Sequence, residues 1–145
     1  MTDSRPTSAE QLKQFNQSII KEFRDNAGKV GGPFKGQRMV LLTTTGAKSG
    51  NPHTTPLVAG LDGVTYYVVA SAAGSPQHPA WYHNLVANPE VKMETGAETF
   101  TVSASSADEP KRTDLYAALE ARMPQLGDYR KDNPRTIPIV LLARK

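Results

Sequence analysis

The chain has 145 residues and no cysteine, so a disulfide framework, a thiolate metal site and a cysteine nucleophile are excluded. Its 17 Lys and Arg against 14 Asp and Glu give a formal net charge of +3 at pH 7. This mild, dispersed basic bias suits a small anionic ligand or a membrane surface, whereas nucleic acid usually requires denser basic runs. We therefore expect no nucleic-acid partner.

The distribution of apolar residues along the chain indicates where the protein is located. The opening segment has no apolar core of signal-peptide length, and no apolar run approaches membrane-spanning length. We expect a soluble cytoplasmic protein, with peripheral contact to the inner face of the cell membrane as an open alternative.

A flexible arm and an amphipathic helix are predicted at the N-terminus. The first eight residues are polar and include Pro6, and Ser8 is suited to cap the helix that follows. The helix should end near residues 26–28, and its apolar face is expected to pack on the domain rather than dock on lipid or a partner. Arm and helix, residues 1–30, precede the predicted β-barrel domain of residues 31–145. The apolar face comprises Leu12, Phe15, Ile19 and Phe23.

Strand-like runs dominate the rest of the chain. Tight turns are predicted at 61–63 and at Gly96-Ala97, and a short helix at 78–87 with Pro79 in its first turn. Helical spacing returns at 108–123, ended by Pro124, before a loop to residue 133. The pattern is mainly β with peripheral α, and indicates a small closed or half-closed barrel. The predicted strands are 38–45, 53–60, 64–71, 90–95, 99–105 and 136–143.

An anion-binding hairpin loop is predicted within residues 41–57, LLTTTGAKSGNPHTTPL. Gly46 and Gly50 permit positive φ and close backbone approach, so backbone N–H groups could face an anion. Lys48, Ser49 and His53 add side-chain donors. A nucleotide-hydrolase phosphate loop does not match, because it needs glycines at positions 42 and 47 and leads into a helix. The competing interpretation is a solvated hairpin turn.

Self-contained catalytic machinery is sparse in this sequence. The three histidines, His53, His78 and His83, lack metal-ligand spacing, and neither a hydrolase serine motif nor a carboxylate pair is evident. An enzyme with this inventory must take its chemistry from a cofactor. The small residues 70–75, followed by a helix with Trp81 and Asn84, suit the close approach of a flat ring, although Trp81 also fits a core position.

Three ordered segments carry a family resemblance. TTTGAKSGNPHTTPL, ASAAGSPQHPAWYHNLVANPEVKM and RTIPIVLLAR resemble the deazaflavin-dependent nitroreductase family of actinobacteria, over nearly the whole chain from about Gly36. The resemblance implies a split β-barrel of the FMN-binding-protein type that uses coenzyme F420. It further implies an F420-dependent reductase, in which reduced deazaflavin gives a hydride to a quinone-like or nitroaromatic acceptor.

Site residues follow from the same resemblance. Lys48, Ser49 and His53 would hold the cofactor's phosphate and acidic tail, with Pro56 lining the same cleft. The deazaflavin pocket would comprise Ser71, Ala72, Ala73, Gly74, Ala80, Trp81 and Asn84, and the substrate pocket Met123, Leu126 and Tyr129. The family's best-known nitroreductase has lysine in place of Ala72 and three tyrosines along the substrate pocket. We expect Tyr129 or Ser71 to donate a hydrogen bond or proton to the acceptor.

Two alternatives stay open at this point. One keeps the barrel but uses FMN, and the other is an F420 carrier without turnover. The physiological acceptor and the oligomeric state are also open.

Overall fold

Six strands build the body of the protein in the computed structural model, which describes residues 9–131 and 133–145. They are β1 (Met39–Thr45), β2 (Pro52–Asp62), β3 (Thr65–Val69), β4 (Glu90–Glu94), β5 (Thr99–Ser106) and β6 (Ile139–Arg144). The strands close into a barrel in the order β1-β2-β3-β6-β5-β4, with antiparallel neighbours throughout. The predicted barrel is confirmed, and it is closed.

Helices surround this barrel. They are α1 (Ala9–Asp25), α2 (Ala80–Ala87), α3 (Lys111–Glu120) and α4 (Gln125–Arg130), with short 3-10 helices at Gly32–Phe34 and Ala72–Gly74. Across the described ranges, every helix is too short or too polar to span a bilayer.

Alternation along the strands fills the barrel interior. Inward residues such as Val40, Leu42, Val68 and Met93 are fully buried, as the period of two requires. Trp81 and Leu85 of α2 join this interior cluster. Helix α2, which carries the predicted site residues Trp81 and Asn84, is therefore held by the barrel core.

The outer face of the barrel is covered by helices on two sides. Phe23 and Ile19 of α1 pack on Met39 and Leu41, so residues 39–42 are buried on both faces of β1. The predicted packing of the apolar face of α1 on the domain is thus observed. The predicted cap at Ser8, the arm before it and the Leu12 side chain lie outside what the structure describes. The second outer cluster joins α3 and α4 to β3 and β6 through Tyr67, Leu115, Tyr116, Leu119, Leu126, Ile137 and Ile139.

One predicted loop is wrong. Residues 123–133 contain α4. Pro124 does not prevent this helix, because it stands just before the first helical residue, where a missing N–H removes no helical hydrogen bond. Burial of Leu126 stabilises this short helix, and the Tyr116 hydroxyl donates a hydrogen bond to the Leu126 carbonyl.

Some boundaries also differ from the prediction. Helix α2 begins at Ala80, with Pro79 just outside it. The last strand begins at Ile139, three residues later than predicted, because Pro138 has no N–H to donate to the sheet. The Pro138 carbonyl accepts a hydrogen bond from Ala70 N at 3.0 Å. The second hairpin turns at residues 63–64, since Asp62 pairs with Thr65. The turn at 96–97 is confirmed by the Thr95 N to Glu98 O bond of 3.0 Å.

Candidate functional site

The loop between β1 and β2, residues 46–51, is named the anion loop here. Gly46 N donates to Asn51 O at 2.8 Å, and Gly50 N donates to Gly46 O at 2.9 Å. Gly50 has φ +73°, whereas Gly46 has no positive φ, contrary to the expectation for both glycines. Gly46 is needed for space: a Cβ there would lie 2.5 Å from Ser49 Oγ and 3.1 Å from His53 Nε2. Ser49 and His53 therefore converge over this glycine.

Side chains, more than backbone, supply the free donors of this loop. Its N–H groups are largely committed to other acceptors, at Gly46, Ala47, Gly50 and Asn51. Within residues 9–131 and 133–145, Lys48 forms no ion pair and the His53 ring no hydrogen bond. Ser49 Oγ accepts from Asn51 N at 3.1 Å, which leaves its hydroxyl hydrogen available. Backbone N–H groups of this loop were predicted to face an anion. Among the described residues, only the N–H groups of residues 48 and 49 have no other acceptor and stay available for that role.

Asn84 of α2 connects the anion loop to the barrel core. Its Oδ1 accepts from Ala47 N at 3.0 Å, and its Nδ2 donates to Thr44 Oγ1 at 3.2 Å. Thr44 is only 1% exposed, so this bond is shielded from water. Asn84 thus positions the start of the loop relative to α2.

Residues 71–78 form the second part of the site and are named the ring segment here. Gly74 N donates to Ser71 O at 2.9 Å, and Ala72 has the left-handed φ of +49°. A non-glycine residue at such a φ costs about 1 kcal/mol, so the surrounding contacts must hold it. The Ser71 hydroxyl makes no hydrogen bond within the described residues. This leaves an unused donor beside the small residues Ala72 and Gly74.

Tyr129 of α4 lies against the ring segment. A Cβ on Gly74, which has φ +84°, would lie 3.3 Å from both Cα and Cδ1 of Tyr129. The positive φ favours glycine at this position, and an added Cβ would fit only tightly against Tyr129. The tertiary fold therefore brings together Gly74 and Tyr129, which were assigned separately to the cofactor and substrate pockets.

Asn133 is a further site residue that the sequence did not predict. Its Nδ2 lies 3.2 Å from Gly74 O, 3.3 Å from Ser75 O and 3.1 Å from Tyr129 O. One amide thus spans the ring segment and α4, and its Oδ1 accepts from Arg135 N at 3.1 Å.

Arg135 was also missed, although it opens the RTIPIVLLAR motif. Its guanidinium donates to Ser71 O at 2.8 Å and Ser75 O at 3.0 Å, and lies 2.9 Å from His78 Nδ1. Burial lowers the pKa of His78, and the nearby Arg135 and His83 lower it further, consistent with a neutral ring that accepts from arginine. Burial also lowers the pKa of Arg135. The sequence signals for Arg135 were its place at the start of a family motif and its position just before the predicted last strand.

The other predicted site residues occupy varied environments. Pro56 is half-buried on β2 opposite Leu41, and Ala80 is exposed at the start of α2. Trp81 is 8% exposed and belongs to the barrel core. The position of Ala73 in the 3-10 helix is described, but its side chain is not.

The three predicted substrate-pocket residues differ in exposure. Met123 and Tyr129 are half-buried, whereas Leu126 is 2% exposed and packs in the α3–α4 cluster. Met123 and Tyr129 are the two that remain accessible.

The donor set is compatible with a cofactor that has an anionic tail and a flat ring. Lys48, Ser49 and His53 offer a cation, a hydroxyl and an imidazole, which suit phosphate or carboxylate oxygens. The ring segment has only small side chains around Ala72, which permit close approach of a ring to the backbone. These properties fit a deazaflavin or flavin nucleotide.

Comparison with known proteins identifies the family. Residues 16–144 match the family model described as F420H(2)-dependent quinone reductase. An F420H(2)-dependent quinone reductase of Mycobacterium tuberculosis is 39% identical over 139 residues, which cover 93% of this chain and 91% of that protein.

Solved structures agree with this assignment. The structure of an F420-H2 dependent reductase (FDR-A) has a TM-score of 0.66 and 33% identity, covering 72% of this chain and 93% of that one. A structure described as a domain-swapped dimer has a TM-score of 0.68 and 27% identity, covering 94% and 99%. The fold is thus the split barrel expected from the motifs, and coenzyme F420 is favoured over FMN. The chain belongs to the F420H(2)-dependent quinone reductase family and is an oxidoreductase that uses coenzyme F420.

Proposed function

We propose that this protein reduces a quinone with F420H2, using the anion loop to hold the cofactor's tail and the ring segment to hold its deazaflavin. The main support is that the ring segment leads directly into α2, which holds the anion loop through Asn84, while α4 packs on the ring segment. Asn84 bonds to Ala47 in the anion loop, and Gly74 in the ring segment packs on Tyr129. A site built from these elements has hydrogen-bond donors for an anion in the anion loop and a surface of small residues in the ring segment.

Lys48, Ser49 and His53 are the residues proposed to bind the phosphate and acidic tail. Their side chains are exposed at the anion loop, and Ser49 and His53 converge over Gly46. A lysine without a carboxylate partner can give its full charge to a phosphate oxygen. Lys48 should therefore contribute most to tail binding.

The proposed reaction needs orientation and a hydrogen-bond donor from the protein. When bound, reduced F420 supplies the hydride. Ser71 and Tyr129 both contact Gly74, and both carry hydroxyl groups. A hydroxyl that hydrogen-bonds to a quinone oxygen stabilises the negative charge that develops there and can deliver a proton. Met123 and Tyr129 would border the acceptor.

Peripheral membrane contact through α1 stays a prediction. Phe23 and Ile19 are buried against the barrel, and Lys21 and Arg24 form ion pairs with carboxylates. Contact with lipid would therefore have to use other exposed cations of α1, such as Lys13. Co-sedimentation of wild type and Lys13→Glu with phosphatidylglycerol vesicles tests this, and equal binding of both proteins would contradict it.

The first experiment is a titration of the protein with F420 and, separately, with FMN, followed by cofactor fluorescence. We expect F420 to bind more tightly, and Lys48→Ala to weaken F420 binding by about tenfold or more, the effect of losing a charged hydrogen bond. Lys92→Ala removes an exposed lysine of β4 outside the proposed site and should change the affinity little.

Turnover is then measured as reoxidation of F420H2 by a soluble naphthoquinone. Wild type should accelerate this reaction over the protein-free rate. Preference for FMN would contradict the proposed cofactor site. F420 binding without faster reoxidation would indicate a carrier and would contradict the proposed reaction.

A further inference from the structure

A large basic cleft lies at the end of β1 opposite to the anion loop. It has a volume of about 740 Å³ and is bounded by the end of α1, the segment from residue 28 to residue 38, and Arg122. Four cationic side chains line it, namely Lys29, Lys35, Arg38 and Arg122. The acidic residue on its wall is Glu22, whose Oε2 already accepts from Gly31 N at 2.6 Å.

The cations of this cleft lack carboxylate partners among the residues that the structure describes. Elsewhere in the described part of the chain, lysines and arginines commonly pair with acidic groups, as in Lys21–Asp25, Arg24–Glu94 and Lys111–Asp62. Within the same described residues, none of the four cleft cations forms such a pair. Like charges around a concavity repel one another and raise the local concentration of anions.

The cleft walls are held in position by the fold. Gln37 Nε2 donates to Arg122 O at 3.3 Å, which links the loop after α3 to the segment before β1. Val30 on the wall is 7% exposed and packs in the α1 cluster. The arrangement of the cations therefore does not depend on exposed loops alone.

This cleft is separate from the anion loop. Arg38 precedes the first residue of β1 and Gly46 follows its last, and eight steps along a strand span roughly 25 Å. A small anion bound at the cleft therefore cannot reach Lys48.

We propose that this cleft is a second binding site, for a small soluble polyanion that carries two or more phosphate groups. Its volume is in the range of small-molecule sites. Two arginines can form bidentate bonds to phosphate oxygens, and two lysines add charge. The inference is independent of the proposed reductase reaction.

The test uses inorganic tripolyphosphate as the probe and isothermal titration calorimetry as the measurement. All proteins carry Lys48→Ala, so that binding at the anion loop is suppressed. We expect one-site binding that weakens as NaCl rises from about 20 mM to about 200 mM. Adding Arg38→Gln and Arg122→Gln should weaken it by about tenfold or more.

The matched control adds Lys13→Gln and Lys92→Gln instead, which removes the same charge from exposed positions outside the cleft. It should change affinity by less than about twofold, as expected for screened, distant charges. Absence of binding, or equal weakening in both double variants, would overturn the proposal.

A vesicle arm distinguishes a lipid headgroup from a soluble ligand. Capture by phosphatidylglycerol vesicles that depends on Arg38 and Arg122, without tripolyphosphate binding, would overturn the soluble-ligand proposal. Because the readout is binding of tripolyphosphate, failure here leaves the F420 titration unaffected, and the two results can be told apart.

Discussion

Arg135 donates a 2.8 Å hydrogen bond to the backbone carbonyl of Ser71, 64 positions earlier in the chain. The same guanidinium bonds to Ser75 O and approaches His78 Nδ1. One side chain before β6 thus holds both ends of the ring segment. This is the contact by which the last strand supports the proposed cofactor site.

Arg135→Gln should destabilise the protein by roughly 1–3 kcal/mol, because it leaves half-buried carbonyl groups without their charged donor. Urea unfolding measures this effect, and F420 affinity should also fall as the ring segment loosens. Lys21→Gln is the control, since Lys21 forms a solvent-exposed ion pair with Asp25, and such pairs contribute little to stability. Equal stability of the two variants would show that Arg135 does not hold the segment.

The thermal stability should depend on His78 at acid pH. A histidine with a lowered folded pKa binds fewer protons in the native than in the unfolded state, so stability rises with pH. Its contribution is complete above the ordinary value of about 6.5 and is lost as pH falls through the lower folded pKa. His78→Asn keeps an acceptor near the Nδ1 position but does not titrate.

The melting temperature of wild type should therefore fall more than that of His78→Asn between about pH 7.5 and pH 5. Comparison of the two proteins removes the contribution of carboxylates, which titrate in both. An equal change of melting temperature with pH in the two proteins would contradict a lowered folded-state pKa of His78.

Gly46→Ala should weaken F420 binding by about tenfold, since the new Cβ must displace Ser49 and His53, two proposed tail ligands. Gly31→Ala is a matched substitution, because a Cβ there meets Glu22 Oε2 at an ordinary 3.5 Å. Fluorescence titration of both variants makes the comparison. Unchanged F420 affinity in Gly46→Ala would separate Ser49 and His53 from tail binding.

Tyr129→Phe should lower the quinone reductase kcat by about tenfold to a hundredfold while F420 affinity stays near that of wild type. The substitution removes the hydroxyl but keeps the ring that packs on Gly74. Ser71→Ala is the companion variant, because its hydroxyl is the other candidate donor. An equal loss of cofactor affinity and turnover in Tyr129→Phe would contradict a donor role specific to the acceptor.

Local pattern in the sequence was sufficient for most secondary structure. Alternation in β4 and the three-to-four spacing of Phe15, Ile19 and Phe23 reflect burial of one face, which each segment encodes by itself. The ordered motifs also identified the family. Helix α4 was not predicted, because its six residues after a proline are too few to show a helical periodicity. The burial of α4 also depends on residues that are distant in the sequence.

The sequence by itself determined the barrel class, the family and the residue types offered to an anionic cofactor. Only the tertiary structure decided which of these residues meet: Asn84 at Ala47, Tyr129 at Gly74, and Arg135 at Ser71. It also gathered Lys29, Lys35, Arg38 and Arg122 around one cleft. The physical reason is that periodicity encodes which face of a segment is buried, whereas contacts between distant segments depend on how the closed barrel places its strand ends.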